Sequence, residues 1–127
     1  MTAPRDQQTS SYVGNLFFHR FSLTARDLTG ELVAWDWLGE GFILVWSLAR
    51  REGSAALFEI RSDAVPSEIT SPGIGIALVR VDPALTEDLD SGRYHWQLES
   101  LDSEGDPVML AVGVHVLFAN TPAAVVV

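Results

Sequence analysis

Hydrophobic and polar residues alternate with a period of two along much of this chain, a pattern typical of β-strands with one buried face. The alternation begins at residues 16–25 and returns at residues 74–81. It is strictest at residues 93–101, where aromatic and aliphatic residues occupy every second position. Residues 42–50 are instead apolar on both faces at their start, which indicates a central strand.

Turns rich in glycine, proline and aspartate separate these segments. Residues 51–54 connect the central strand to residues 55–61, which predicts a β-hairpin. Residues 102–107 connect the strand at 93–101 to a last strand, and the two predict a second hairpin. The alternation predicts that the even-numbered residues of this last strand share one buried face: Val108, Leu110, Val112, Val114, Val116 and Phe118.

One helix of about two turns is predicted at Asp82 and Pro83, because aspartate caps free amides and proline suits the first helical position. Seven or eight short strands with this one helix favour an all-β, antiparallel β-sandwich. Of the 127 residues, 16–119 form this predicted domain. Residues 1–15 are polar and predict an extended arm, whereas residues 120–127 form an apolar C-terminal tail.

The chain is acidic, with 8 basic residues, all of them arginine, 17 acidic residues and a net charge of −9. This charge argues against nucleic acid as a partner. Cysteine is absent, which excludes disulfides and thiolate metal sites. No apolar run approaches the roughly 20 residues of a membrane span, and the N-terminal residues lack the pattern of a signal peptide. We expect a soluble domain with no membrane partner.

The histidines are the first candidates for metal binding. His95 and His115 are predicted to lie on paired strands and to point to the same outward face. Two ligands fall short of a zinc site, which needs three or four. We therefore expect surface histidines there, with no metal or other cofactor, whereas His19 falls on the apolar face of its predicted strand with Phe17 and Phe21.

Two acidic turns are the next candidates. Neither has the spacing of a calcium-binding loop, so solvated turn carboxylates are favoured, although a weak calcium site between loops stays open. The first turn contains Asp82, Glu87, Asp88 and Asp90. The second turn contains Asp102, Glu104 and Asp106.

Motifs of catalysis are absent from the sequence. No serine stands in a G-x-S-x-G turn, and no glycine-rich phosphate loop occurs. We therefore expect a protein that is not an enzyme. The rival hypothesis of a small hydrolase requires an accessible histidine near a carboxylate and a hydroxyl, which no local segment supplies.

Trp46 and Trp96 fall in central strands and are predicted core residues. Trp35 and Trp37 share one face of a short ribbon, where they belong either to the core or to an exposed contact surface. The apolar tail either continues a strand, frays, or adds to the sheet of a neighbouring subunit. The candidate subunit interface therefore consists of Trp35, Trp37, Val125, Val126 and Val127.

Residues 14–118 carry a further pattern of strands and turns. It consists of a turn at 27–30 or 36–39, a strand ending in arginine at 42–50, and a Gly-Ser-Ala turn at 53–55 leading into a second strand. A short helix follows. Its end leads into a motif in which Leu89, Gly92, Tyr94 and Leu98 stand at fixed offsets, and a hairpin at 102–116 closes the domain. This order resembles the immunoglobulin-like structural modules of tailed bacteriophages, including the N-terminal module of baseplate upper proteins.

The resemblance implies an immunoglobulin-like sandwich that acts as an adaptor or decoration module in a bacteriophage virion, with tail or baseplate slightly favoured over the capsid surface. It implies other virion proteins and further copies of the chain as partners, and a location in virions assembled in the host cytoplasm. The alternative is a carbohydrate- or receptor-binding module for a host glycan, which uses Trp35, Trp37 and the acidic turns.

Overall fold

The strand pattern of the sequence is realised in a computed structural model that describes residues 7–119. These residues form ten strands and one short helix, so the all-β prediction is confirmed. In chain order the elements are β1 (Gln7–Tyr12), β2 (Phe17–Ser22), β3 (Thr24–Arg26), β4 (Leu32–Ala34), β5 (Ile43–Ala49), β6 (Ala56–Arg61), β7 (Ile69–Thr70), β8 (Ile76–Val81), α1 (Pro83–Thr86), β9 (Gly92–Leu101) and β10 (Pro107–Phe118).

The strands form a β-sandwich. The large sheet has the order β1-β10-β9-β5-β6, the small sheet has the order β2-β8-β7, and β3 and β4 pair as a separate ribbon. Every pairing among the described residues is antiparallel except that of β1 with β10. Both predicted hairpins, β5–β6 and β9–β10, are present.

The core lies between the two sheets and is rich in aromatic residues. On the large sheet, Trp46 and Trp96 are each 1% exposed, which confirms their prediction as core residues. The small sheet contributes Phe21 and Val79. Because side chains alternate between the two faces along a strand, the intervening residues of β5 and β9 lie on the outer face of the large sheet.

A β-bulge in β10 corrects the predicted face of that strand. The register with β9 shifts between Met109 and Ala111, and both Leu110 and Ala111 are buried. One extra residue exchanges the two faces of the strand beyond it. His115 therefore points into the core, while the even-numbered valines, Val112, Val114 and Val116, lie on the outer face.

Residues 7–12, part of the predicted N-terminal arm, belong to the large sheet. They form β1, which pairs in parallel with residues 113–118 of β10. The inward positions of β1 are occupied by small polar residues, and for this reason the hydrophobic pattern does not mark a strand there. The rest of the arm, residues 1–6, and the tail, residues 120–127, lie outside the described residues.

The predicted helix start is confirmed, since Oδ1 of Asp82 accepts a hydrogen bond of 3.0 Å from the Ala84 amide and Pro83 begins α1. The helix has four residues, about one turn rather than the predicted two. No helix in the described part of the chain is long and apolar enough to cross a membrane.

Candidate functional site

A row of polar residues crosses the outer face of the large sheet. Ser47 on β5 is paired with Glu59 on β6 and with Gln97 on β9. Two residues further along β5, and so on the same face, Ala49 is opposite His95 on β9. Since directly opposed residues of antiparallel strands share a face, these side chains converge on one region of the surface.

A concave site of about 190 Å³ lies over this row. Its walls are formed by small residues, including Ala49, Ala56, Gly53 and Ser54, the last two in the turn between β5 and β6. Small side chains at these positions leave the space open. The site lined by Ser47, Glu59, His95, Gln97 and the 51–54 turn is called the outer-face cleft below.

Three polar side chains of the outer-face cleft, those of Ser47, Glu59 and His95, have no hydrogen-bond partner in the described residues. Ser47 is only 6% exposed, yet its hydroxyl makes no hydrogen bond to any described residue. The side chains of His95 and Glu59 likewise have no hydrogen-bond partner in residues 7–119. Gln97 donates a 2.6 Å hydrogen bond to Oε1 of Glu99. Since Ser47 lines the cleft, its hydroxyl is available to a molecule that enters it.

A second polar cluster lies inside the sandwich, around His115. Its imidazole is 2% exposed and contacts two hydroxyls of β1. Oγ1 of Thr9 lies 2.6 Å from Nδ1, and Oγ of Ser11 lies 2.8 Å from Nε2. A hydroxyl can donate or accept, so this pair satisfies both nitrogens of a neutral ring. The ring also packs against Phe17 of β2, with centroids 4.7 Å apart.

His19 lies in the same interior and is 8% exposed. Nε1 of Trp46 donates a 3.3 Å hydrogen bond to its Nδ1. Its ring packs between Phe21 and Trp96, with centroid distances of 4.0 and 4.6 Å. Nε1 of Trp96 is the buried side-chain atom that lacks a partner among the described residues. The position of His19 on the apolar strand face is therefore confirmed, and the predicted outward position of His115 is wrong.

Burial keeps both interior histidines neutral over a wide pH range. Desolvation lowers the pKa of His115 to about 4. Desolvation, with a smaller contribution from the charge of His115, lowers the pKa of His19 to about 4. An imidazolium in this interior would lose most of its hydration.

The predicted outward pair of His95 and His115 does not exist. His115 is opposite Tyr94, not His95, and the two imidazoles point to opposite faces of the sheet. Within residues 7–119 no group of three or more His, Cys, Asp or Glu side chains could hold a metal ion.

Backbone amides of the acidic turns donate hydrogen bonds to carboxylates of the same turns. Oδ1 of Asp102 accepts hydrogen bonds of 2.9 Å from the amides of Glu104 and Asp106. Asp82 caps α1 and forms a 3.0 Å ion pair with Arg80. These contacts occupy the carboxylates of both residues.

Trp35 and Trp37 do not form an exposed pair. Trp37 is 1% exposed, and its Nε1 donates a 3.0 Å hydrogen bond to the carbonyl of Ile76. Trp35 is partly buried and packs edge-on against Phe42, with centroids 4.9 Å apart. Because Trp37 is buried, it cannot form the predicted subunit contact or a sugar-stacking platform. The other predicted interface residues, Val125, Val126 and Val127, lie outside the described residues.

Comparison with known proteins gives few matches. No family model and no curated protein matches the chain. A similar solved structure is that of CopC from Methylosinus trichosporium OB3b, with 12% sequence identity, coverage of 92% of this chain and 89% of that chain, and a TM-score of 0.43.

These findings correct the predicted family and function. No family model and no curated protein links the chain to a phage module. The prediction of a bacteriophage tail, baseplate or capsid-decoration module is therefore wrong. The part of the resemblance that concerned the fold is confirmed only as a β-sandwich.

Proposed function

We propose that this protein is a non-enzymatic binding module that holds a small polar ligand in the outer-face cleft. The observation that carries the proposal is Ser47, a residue 6% exposed that lines the cleft and whose hydroxyl has no hydrogen-bond partner in the described residues. The unpaired side chains of Glu59 and His95 at the same cleft support it. A ligand that paired with these groups would offset the cost of desolvating them.

A hydrolase is the natural rival, because a serine, a histidine and a glutamate line one cleft. In a catalytic triad the imidazole lies between the hydroxyl and the carboxylate, which orients the ring. Here the strand order places Ser47 on β5 between Glu59 on β6 and His95 on β9. Glu59 and His95 are thus two strand spacings apart, about 10 Å at the backbone. This order supports binding rather than nucleophilic catalysis.

The acidic composition supports a further part of the proposal, namely that nucleic acid is not a partner. Association with further copies of the chain stays a prediction. Since Trp37 is buried, that association would have to use other residues.

Two measurements on the full chain test the proposed function. In backbone-amide NMR with a mixture of propylammonium, propionamide and propionate, we expect shifts grouped at residues 47, 59, 95 and 97. We also expect hydrolysis of p-nitrophenyl acetate at the same slow rate by the wild type and Ser47→Ala. Shifts scattered over the surface contradict ligand binding in the cleft, and faster hydrolysis by the wild type contradicts the non-enzymatic assignment.

A further inference from the structure

We infer that the ligand of the outer-face cleft carries a compact cation, of which a primary ammonium group is the simplest example. This inference rests on the proposed function and adds the chemical class of the ligand. It follows from the acceptors that the cleft presents, the charge of its lining and its size.

Glu59 provides a carboxylate that accepts hydrogen bonds and cannot donate them when ionised. The nearest arginine on the same strand, Arg61, directs two hydrogen bonds of 2.9 and 3.1 Å to Asp63 instead. Arg61 acts on Glu59 only through its charge. Glu59 is therefore left with acceptor capacity at the edge of the cleft.

Gln97 adds a further acceptor. Its amide nitrogen donates one hydrogen bond to Glu99, and its carbonyl oxygen has no described partner. The hydroxyl of Ser47, between Glu59 and Gln97 in the row, can also accept. Glu59, Ser47 and Gln97 thus place oxygen acceptors on three adjacent strands of one face, and an ammonium group donates to acceptors of this kind.

The charge and the volume of the cleft further restrict the class of ligand that it can bind. Among the charged residues that line the cleft, Glu59 on β6 provides the carboxylate of the proposed site, and Arg51 and Glu52 lie in the turn beside it. The net charge of −9 adds a long-range attraction for cations. The volume of about 190 Å³ is small compared with the roughly 300 Å³ or more of sites for drug-sized ligands. An ammonium group on a short alkyl chain suits this volume.

Separate NMR titrations of the full chain at pH 7 and low salt test this inference. Propylammonium, propionamide and propionate have similar shapes and differ in charge. We expect propylammonium to shift the signals of residues 47, 59, 95 and 97 at the lowest concentration, and propionate to have the weakest effect. Glu59→Gln should raise the dissociation constant for propylammonium about tenfold. The matched control Glu104→Gln, in the distant turn before β10, should leave it unchanged.

The outcomes separate this inference from the proposed function. Equal binding of propionamide, or an unchanged dissociation constant in Glu59→Gln, overturns the cationic class while binding in the cleft stands. Absence of cleft shifts with all three probes overturns the proposed function itself. Glu59 is exposed on an edge strand, so far-UV circular dichroism is expected to show a folded variant.

A free amine and a lysine side chain of a partner protein present the same ammonium group. The peptide acetyl-Gly-Lys-Gly-amide distinguishes these sources. Tighter binding of the peptide than of propylammonium assigns the cation to a partner's side chain, and weaker binding assigns it to a free amine. Failure of both to bind overturns the inference.

Discussion

The hydroxyl of Thr9 lies 2.6 Å from Nδ1 of His115, and this contact joins the edge strand β1 to an imidazole buried between the two sheets. With Ser11 at the other ring nitrogen, it explains how a strand with polar inward positions belongs to the large sheet. The attachment of β1 therefore depends on matched hydrogen bonds more than on apolar burial.

Replacing Thr9 by valine keeps the shape of the side chain and removes the hydroxyl. We expect Thr9→Val to lower the free energy of unfolding by about 1–2 kcal/mol, because one nitrogen of His115 is left buried without a partner. Amide hydrogen exchange should accelerate most in β1. Ser10→Ala is the matched control, since Ser10 is exposed on the same strand. Equal effects of the two substitutions would show that the hydroxyl contact contributes nothing.

Stability is expected to fall as the pH drops from about 6.5 toward 4. In this window the unfolded chain takes up protons on His19 and His115, whereas burial lowers the pKa of both to about 4 in the folded state. Proton uptake by the unfolded state favours unfolding, by up to roughly 3 kcal/mol for each histidine at the acidic end.

Urea denaturation at pH 6.5 and pH 4.5 checks this expectation. The variant His115→Asn keeps a polar side chain near Thr9 and Ser11 and removes one titrating group. We expect it to lose less stability than the wild type between the two pH values. An identical loss in both proteins would exclude His115 as a source of the pH dependence.

Gly75 is required by both its conformation and its surroundings. Its φ is +79°, and a Cβ atom there would lie 2.7 Å from Cβ of Ala34 and 3.0 Å from the carbonyl of Leu23. Gly53 has φ of +81° and open space around it. Gly53→Ala should therefore report conformational strain alone, about 1–2 kcal/mol. Gly75→Ala should lose at least about 1 kcal/mol more in urea denaturation, and equal losses would contradict the close contact.

The large sheet could be predicted from sequence where alternation is uninterrupted. In β9, Tyr94, Trp96 and Leu98 all point into the core as expected. In β10 the same reasoning failed at Val108, which is 51% exposed. It failed again beyond Leu110, because a bulge reverses the faces and leaves no mark in the hydrophobic pattern. The inward position of His115 could not be predicted for that reason.

The outer-face cleft was not predicted because its residues come from three strands. His95 was considered a candidate, but with His115 as its partner. Ser47, Glu59 and Gln97 become neighbours only through the pairing of β5 with β6 and β9. The available signal was local and weak: a serine within the apolar run at residues 42–50.

Filling the outer-face cleft is the most direct test of its role. Ala56 is exposed and lines the cleft, whereas Ala64 is exposed in the turn after β6. The dissociation constant for the best-bound probe, measured by NMR, should rise at least about tenfold in Ala56→Trp and stay at the wild-type value in Ala64→Trp. Undiminished binding by folded Ala56→Trp would contradict a ligand site in the cleft.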